Sequence, residues 1–167
     1  MRWSRSLRLP IALAALSLSA AACSQQAAAP APPAAVMVPA KHPISGLDVI
    51  PLTISQNGKV HTFRVEMART MEQQQKGLMF RTAMGPDEGM LFPSETAEQR
   101  SFWMKNTVIS LDIVFIGPDH LISNIAANAV PYSLDPINSA GAAIAVLELN
   151  GGRAAQLGIM PGARVTW

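Results

Sequence analysis

The chain has a single cysteine, Cys23, among 167 residues. A lone cysteine excludes a disulfide framework within the chain and a cysteine-based zinc site. Charge is scarce as well, with only 14% Asp, Glu, Lys and Arg and a formal net charge of +2. The small excess of base comes from Arg2, Arg5 and Arg8. Without residues 1–22 the balance is ten basic against eleven acidic residues, a net charge of −1. A domain so close to neutral lacks the electrostatic footprint of a nucleic-acid binder. No stretch reads as a membrane-spanning helix, since the apolar run of residues 9–22 has fourteen residues and a span takes about 20. His-Glu-x-x-His, Gly-x-Ser-x-Gly and the phosphate-binding Gly-x-x-x-x-Gly-Lys-Ser/Thr pattern are all missing. The length excludes a multidomain machine.

What is present begins with an address. Residues 1–8 carry three arginines, residues 9–22 are apolar or small apart from Ser17 and Ser19, and the run ends in Ala20-Ala21-Ala22. These are the three parts of a secretory signal. Cys23 directly after Ser19-Ala20-Ala21-Ala22 resembles the lipobox of bacterial lipoproteins, in which the cysteine is lipidated and becomes the mature N-terminus. Ala20 stands where Leu is commoner. The expectation is an envelope lipoprotein facing the periplasm, and Ser24, by resemblance to Gram-negative sorting, favours the outer membrane. The alternative is a cleaved signal that leaves a soluble periplasmic or secreted protein. Residues 23–44 read as a lipid-anchored tether, with Pro30, Pro32, Pro33, Pro39 and Pro43 among many alanines. Proline favours extended polyproline II, so this segment can reach roughly 60 Å. His42 falls in it and is expected to carry no chemistry.

Residues 45–167 are left for one globular domain. Residues 49–54 are a β candidate, Asn57-Gly58 is a turn, and residues 59–67 alternate, with His61, Phe63, Val65 and Met67 on one face. Thr70 with Gln73 makes a capping box for a helix over 71–76, ended by Gly77. Residues 90–92 form a brief strand. Residues 101–106 and 109–116 are the best strands, and 121–126 returns after a turn. Residues 131–140 read as an irregular loop and 144–149 as a strand. Asn150 can cap a short helix ending at Gly158, before a last strand over 163–167. The expected fold is α+β, a mainly antiparallel sheet able to curl toward a barrel, with two or three short helices.

Several segments together carry a family pattern: Gly77-Leu78-Met79-Phe80-Arg81, Gly89-Met90-Leu91-Phe92, Phe102-Trp103-Met104-Lys105-Asn106-Thr107, Leu111-Asp112-Ile113 and Leu147-Glu148-Leu149-Asn150-Gly151-Gly152. Over nearly all of residues 50–167 the chain resembles the domain of unknown function 192 family, small proteins of bacteria and archaea. Ser110 stands where that family usually has proline, and Ala163 where an aspartate often follows the Pro-Gly turn. The resemblance implies a compact α+β fold. It brings no established reaction, so no catalytic residue is carried over.

The residues themselves offer one constellation. Trp103 and Lys105 share a face if 101–106 is a strand. Asp112 lies on the next strand, and only Thr107 and Val108 separate the two. If the strands pair as a hairpin, an aromatic wall, a cation and a carboxylate meet, which suits a small polar ligand. Asn106 would hold the turn. The competing expectation is a structural Lys105–Asp112 pair with Trp103 in the core. Asp87, Glu88 and Arg81 flank a glycine-rich loop that reads as a solvated turn. Glu148 alternates with Val146 and Ile144 and is expected to face a partly buried surface; the competing expectation is a partner for Arg100 or Arg153. Six methionines from Met67 to Met104 read as packing residues rather than a copper site, since no dense methionine run occurs. No cofactor or metal is expected. The composite expectation is a non-catalytic binding or accessory module for a small polar envelope ligand or glycan. Two alternatives stand beside it: a hydrolase with Asp112 or Glu88 as general base, and a protein-interaction module in envelope assembly.

Overall fold

The computed structural model describes residues 40–167. The signal segment, Cys23 and most of the expected tether lie outside the described residues.

Asn57 and Gly58 set the first hairpin. Both have positive φ, 51° and 75°, the geometry that a two-residue turn between twisted strands demands. They join β2 (Asp48–Gln56) to β3 (Lys59–Met67), with Leu52 opposite Phe63. The alternating face of β3 buries Phe63, Val65 and Met67 against Leu52 and Ile54. Each such side chain contributes about 2 kcal/mol of burial. Ahead of β2, β1 (Ala40–Lys41) pairs with Asp48 and Val49, so the folded part reaches back into the segment expected to be tether. His42 is engaged as well, its Nδ1 lying 3.5 Å from Oε2 of Glu66. Glu66 is buried although the alternation of β3 points it outward. The reason is a second layer of structure: Arg81, itself buried, donates to both its oxygens at 2.8 and 3.1 Å, and Ser45 donates a further bond.

The Thr70 hydroxyl accepts from the Gln73 amide at 3.2 Å, and the Gln73 side chain accepts from the Thr70 amide at 3.0 Å. This reciprocal cap opens α1 (Met71–Lys76), which Gly77 ends. The helix belongs to the crossover between β3 and β4 (Glu88–Phe102), which run parallel with Val65 opposite Gly89. Side-by-side parallel strands require such a crossover. Gly89 has no room for a side chain, since a Cβ there would stand 2.5 Å from the Glu148 carbonyl oxygen.

β4 is one long strand where two separate ones were expected. Its exposed middle, Glu95 to Gln99, carries no apolar alternation because it has no core beneath it. β7 (Ile137–Asn150) is longer than expected for the same reason and pairs with β4 along most of its length. β7 also pairs with β5 (Leu111–Ile116) and therefore lies between β4 and β5. The hairpin expected across Thr107 and Val108 does not form, and residues 103–110 are irregular. β6 (Ile122–Ala129) covers the other side of β5. After α2 (Arg153–Leu157), β8 (Arg164–Thr166) pairs with β2 and meets Leu121 through one bridge. The result is a mostly β, curled half-barrel with two short helices. The sheet is mixed rather than purely antiparallel, because of the β3–β4 pair.

Two apolar layers form. Val114, Ile116, Leu147 and Leu149 face the inside of the curl with Leu52 and Ile54. Leu111, Ile113, Phe115 and Val146 face the opposite side with Met90, Phe92 and Met104. Met67, Met90 and Met104 are thus packing residues. Asp112 interrupts the inner face with no exposure at all. Its carboxylate accepts from the amides of Asn128 at 2.9 Å, Gly152 at 2.8 Å and Ala154 at 2.8 Å. It therefore caps α2 in place of Asn150, whose side-chain amide instead donates to the Met84 and Gly85 carbonyls. Substituting Asp112→Ala leaves these three amides without their acceptor. It should lower stability by about 3 kcal/mol, read as a shift of the urea midpoint with unchanged slope.

Candidate functional site

The structure separates the expected constellation. Trp103 and Lys105 stay together, with Lys105 Nζ 5.2 Å from the indole centroid, a cation–π contact. Trp103 is 50% exposed and is no core residue. Asn106 does not hold a hairpin; it sits at φ 53° in a local turn closed by the Thr107 amide on Met104, with its carbonyl accepting from the Phe80 amide. Asp112 does not join them. β7 stands between its strand and β4, and the two Asp112 oxygens accept from three backbone amides. With no exposure, the carboxylate is closed to a ligand or an attacking water. Glu88 likewise closes its own turn by accepting from the Gly85 amide at 2.9 Å. Asp87 pairs with Arg153 at 2.6 Å, and Arg81 belongs to buried Glu66.

The residue that takes Asp112's place is Glu148. It sits on the β7 face shared with Val146, opposite Met90 on β4 and Ile113 on β5. That face lies in the layer under α1. Between α1 and the end of β4 runs an open groove of about 470 Å³. Its buried lining includes Leu78, Phe92, Thr107 and Glu148, and its exposed lining includes Met71, Lys76, Trp103 and Lys105. The Gln74 side chain fastens α1 over the sheet by donating to the Ala68 and Pro93 carbonyls at 3.1 and 2.8 Å. Arg100 reaches across to the Gln74 side-chain oxygen at 3.1 Å and lies over the Phe102 ring. Phe102 in turn meets Phe92 and Phe115 edge to face, at 5.1 and 6.3 Å between centroids. The groove therefore rests on a packed aromatic layer.

Glu148 is 5% exposed, and among the described residues its carboxyl has no hydrogen-bond or ion-pair partner. Neither expected partner is used, since Arg153 holds Asp87 and Arg100 holds Gln74. Burial among Met90, Phe92 and Ile113 disfavours the charged form. It raises the carboxyl from its ordinary 4.5 to about 8. At neutral pH Glu148 is thus a protonated donor opening into a groove with three cations, Lys76, Arg100 and Lys105. Sequence did hold a signal for it: a carboxyl on the Ile144-Val146 face of a strand apolar on both sides. The same alternation indicates a partly buried surface, and the structure buries the residue. Among the described residues no group of three or more His, Cys, Asp or Glu is placed to hold a metal ion.

Residues 52–167 match the model of the family DUF192, described as an uncharacterized ACR. No curated protein matches the chain. A crystal structure of a protein of unknown function from Novosphingobium aromaticivorans DSM 12444 is 53% identical, with a TM-score of 0.76. The match covers 79% of this chain and 94% of that one. A chain described as a candidate transcription regulator, from Sinorhizobium meliloti 1021, is 39% identical with a TM-score of 0.70, over 72% of this chain and 94% of that one.

The buried carboxyl gives the fold a pH dependence of definite sign. Folded, Glu148 keeps its proton up to about pH 8, and unfolded it releases the proton near 4.5. Between those values folding takes up a proton, so stability falls as pH rises through the window and levels off above it. The drop attributable to this group is about 5 kcal/mol at most. Urea titrations across that range should show the decline in the parent chain, and Glu148→Gln should remove most of it.

Proposed function

Because the chain belongs to the domain of unknown function 192 family, whose description names no activity, we propose a function from the groove itself: it binds a small polar ligand. The observation that carries this reading is the unpartnered, buried carboxyl of Glu148 at the bottom of a groove edged by Trp103 and Lys105. The carboxyl has no partner within the fold and keeps only a little solvent contact at the groove, so a ligand acceptor placed over it would use a hydrogen bond that the fold leaves unused. Trp103 offers a flat apolar face of the kind on which a sugar ring or other planar group rests. Lys76, Arg100 and Lys105 supply charge for an acidic substituent. A small polar envelope molecule or a glycan fits this chemistry, and so does the volume, which lies within the usual range of ligand pockets.

We further propose that the domain works in the bacterial envelope, held by a lipid on Cys23. The support is the signal-like residues 1–22, the position of Cys23 after them and the proline-rich segment that follows. More than one acyl chain would give stable attachment. Radiolabelled palmitate should be incorporated by the chain in a Gram-negative host, and Cys23→Ser should abolish the label.

A second reading has one specific observation in its favour. A carboxyl that changes charge near pH 8 is matched to general acid–base work at neutrality. In that reading Glu148, and neither Asp112 nor Glu88, is the proton donor, and the ligand is a substrate. Native mass spectrometry separates the readings. The binding module should carry an extra mass that vanishes on denaturation. Lys105→Ala and Trp103→Ala should each weaken its retention by about tenfold, the loss of roughly 1.4 kcal/mol. An enzyme would retain no such mass and would show turnover that Glu148→Gln removes. Bare protein without turnover would remove both.

A further inference from the structure

Apart from the groove, the exposed apolar side chains are the molecule's most uneven feature. Phe80, Val130, Tyr132 and Leu134 are 60–69% exposed, and Trp103 adds a half-exposed indole. They come from three loops that are far apart in sequence and tied together by backbone bonds. The Phe80 amide donates to the Asn106 carbonyl at 2.8 Å, the Met104 amide to Ser133 at 2.9 Å, and the Tyr132 amide to Thr107 at 3.2 Å. Trp103 and Leu134 line one shallow hollow. Monomeric soluble domains seldom gather so many large apolar tips at one place without using them.

Backbone conformation strengthens the case. Phe80 has φ 64° and Tyr132 has φ 63°. Bulky L-residues avoid this left-handed region, so a fold that holds them there is spending stability on where they point. Each sits in a turn, closed by the Arg81 amide on the Leu78 carbonyl or the Ser133 amide on the Val130 carbonyl, that turns its side chain out to solvent.

The chemistry of the tips narrows the occupant. Trp and Tyr with a nearby Lys are the side chains that settle at a bilayer surface, rings at headgroup level and ammonium toward anionic lipid. Lys105 lies against the Trp103 ring, and the one carboxylate in the 130–136 loop, Asp135, is occupied in its own turn by Ser133. The tips also project from separate loops, which suits shallow insertion better than a flat protein face. Finally, the chain reaches the fold at this end: Ile44 and Ser45 line the same hollow as Phe80 and Thr82. A lipid on Cys23, at the end of a segment that can reach roughly 60 Å, would keep these loops within range of its membrane without fixing their orientation.

We propose that the loops carrying Phe80, Trp103, Val130, Tyr132 and Leu134 dock on an anionic phospholipid bilayer, a reading that rests in part on Cys23 as the anchor. Docking would orient the groove, whose rim includes Trp103 and Lys105, at the bilayer surface.

The test uses the full chain with Trp3 and Trp167 changed to Phe, leaving Trp103 as the only indole. It is mixed with vesicles of phosphatidylethanolamine and phosphatidylglycerol bearing brominated acyl chains, which quench tryptophan on contact. Trp103 emission should fall about twofold, and less in phosphatidylcholine alone. The pair Phe80→Asp and Leu134→Asp should restore it. Aspartate tolerates the left-handed conformation better than phenylalanine, so the near-ultraviolet dichroism of the variant should be retained. The quenching of the parent protein decides the matter even if the variant fails to fold. Unquenched Trp103 on protein that floats with the vesicles overturns docking and leaves the anchor standing. Quenching that persists in Cys23→Ser supports docking and shows that the anchor is not required. Protein that neither floats nor is quenched removes both. A dimer in solution that Leu134→Asp dissociates, without quenching by lipid, would assign this face to a second copy and overturn the proposal.

Discussion

The parallel pairing of β3 with β4 is the constraint from which the rest of this architecture follows. Parallel neighbours cannot be joined by a tight turn, so the chain has to cross one face of the sheet between Met67 and Glu88. The capped helix α1 occupies that crossing. Its Gln74 bonds the Ala68 and Pro93 carbonyls at the two ends of the crossing, so the helix lies across the sheet at a fixed height. The groove is the space left beside it. A simple hairpin at this point would have left Met90, Phe92 and Glu148 on an open face, where the carboxyl would be an ordinary charged residue.

Two buried carboxyls on adjacent strands show how environment divides identical chemistry. Asp112 and Glu148 lie on neighbouring strands, one facing each side of the sheet. Asp112 has three amides to accept from, and those bonds fasten α2 to β5. Glu148 is packed among apolar side chains with no hydrogen-bond partner in the described residues, and burial favours its protonated form. The first is thereby consumed by the fold. The second is left with hydrogen-bonding capacity that the fold does not use, which is what separates a structural polar residue from a candidate site.

Local patterns in the sequence were sufficient for local structure. The Asn57-Gly58 hairpin, the Thr70–Gln73 cap and the alternation of residues 111–116 all reappear as read, since each depends on residues a few positions apart. The site depended on which strands become neighbours. Trp103 and Lys105 meet because they are two residues apart, although the strand expected to align them ends at Phe102. Asp112 was misplaced because proximity in sequence suggested a hairpin, whereas β7, drawn from some thirty residues further on, takes the position beside β5. Glu148 was passed over for a related reason. Only the tertiary pairing shows that Arg153 turns to Asp87 and Arg100 to Gln74, leaving the carboxyl alone. Long exposed strands such as the middle of β4 were illegible on principle, because a strand without a core beneath it has no apolar period to display.

The groove and the apolar loops share Trp103 and Lys105, and this overlap constrains what either can be. A ligand held over Glu148 would share the groove with Trp103, whose ring is already covered on one side by the Lys105 ammonium. A surface that engages the Trp103 ring would compete with that ammonium and leave it free to move toward the groove or toward the anionic surface. The two sites would then be coupled through one side-chain pair, with no rearrangement of the sheet required. The rigid aromatic layer of Phe92, Phe102 and Phe115 beneath them argues for the same economy. Because the packed base does not yield readily, any communication between ligand and surface has to run through the exposed residues that both of them touch.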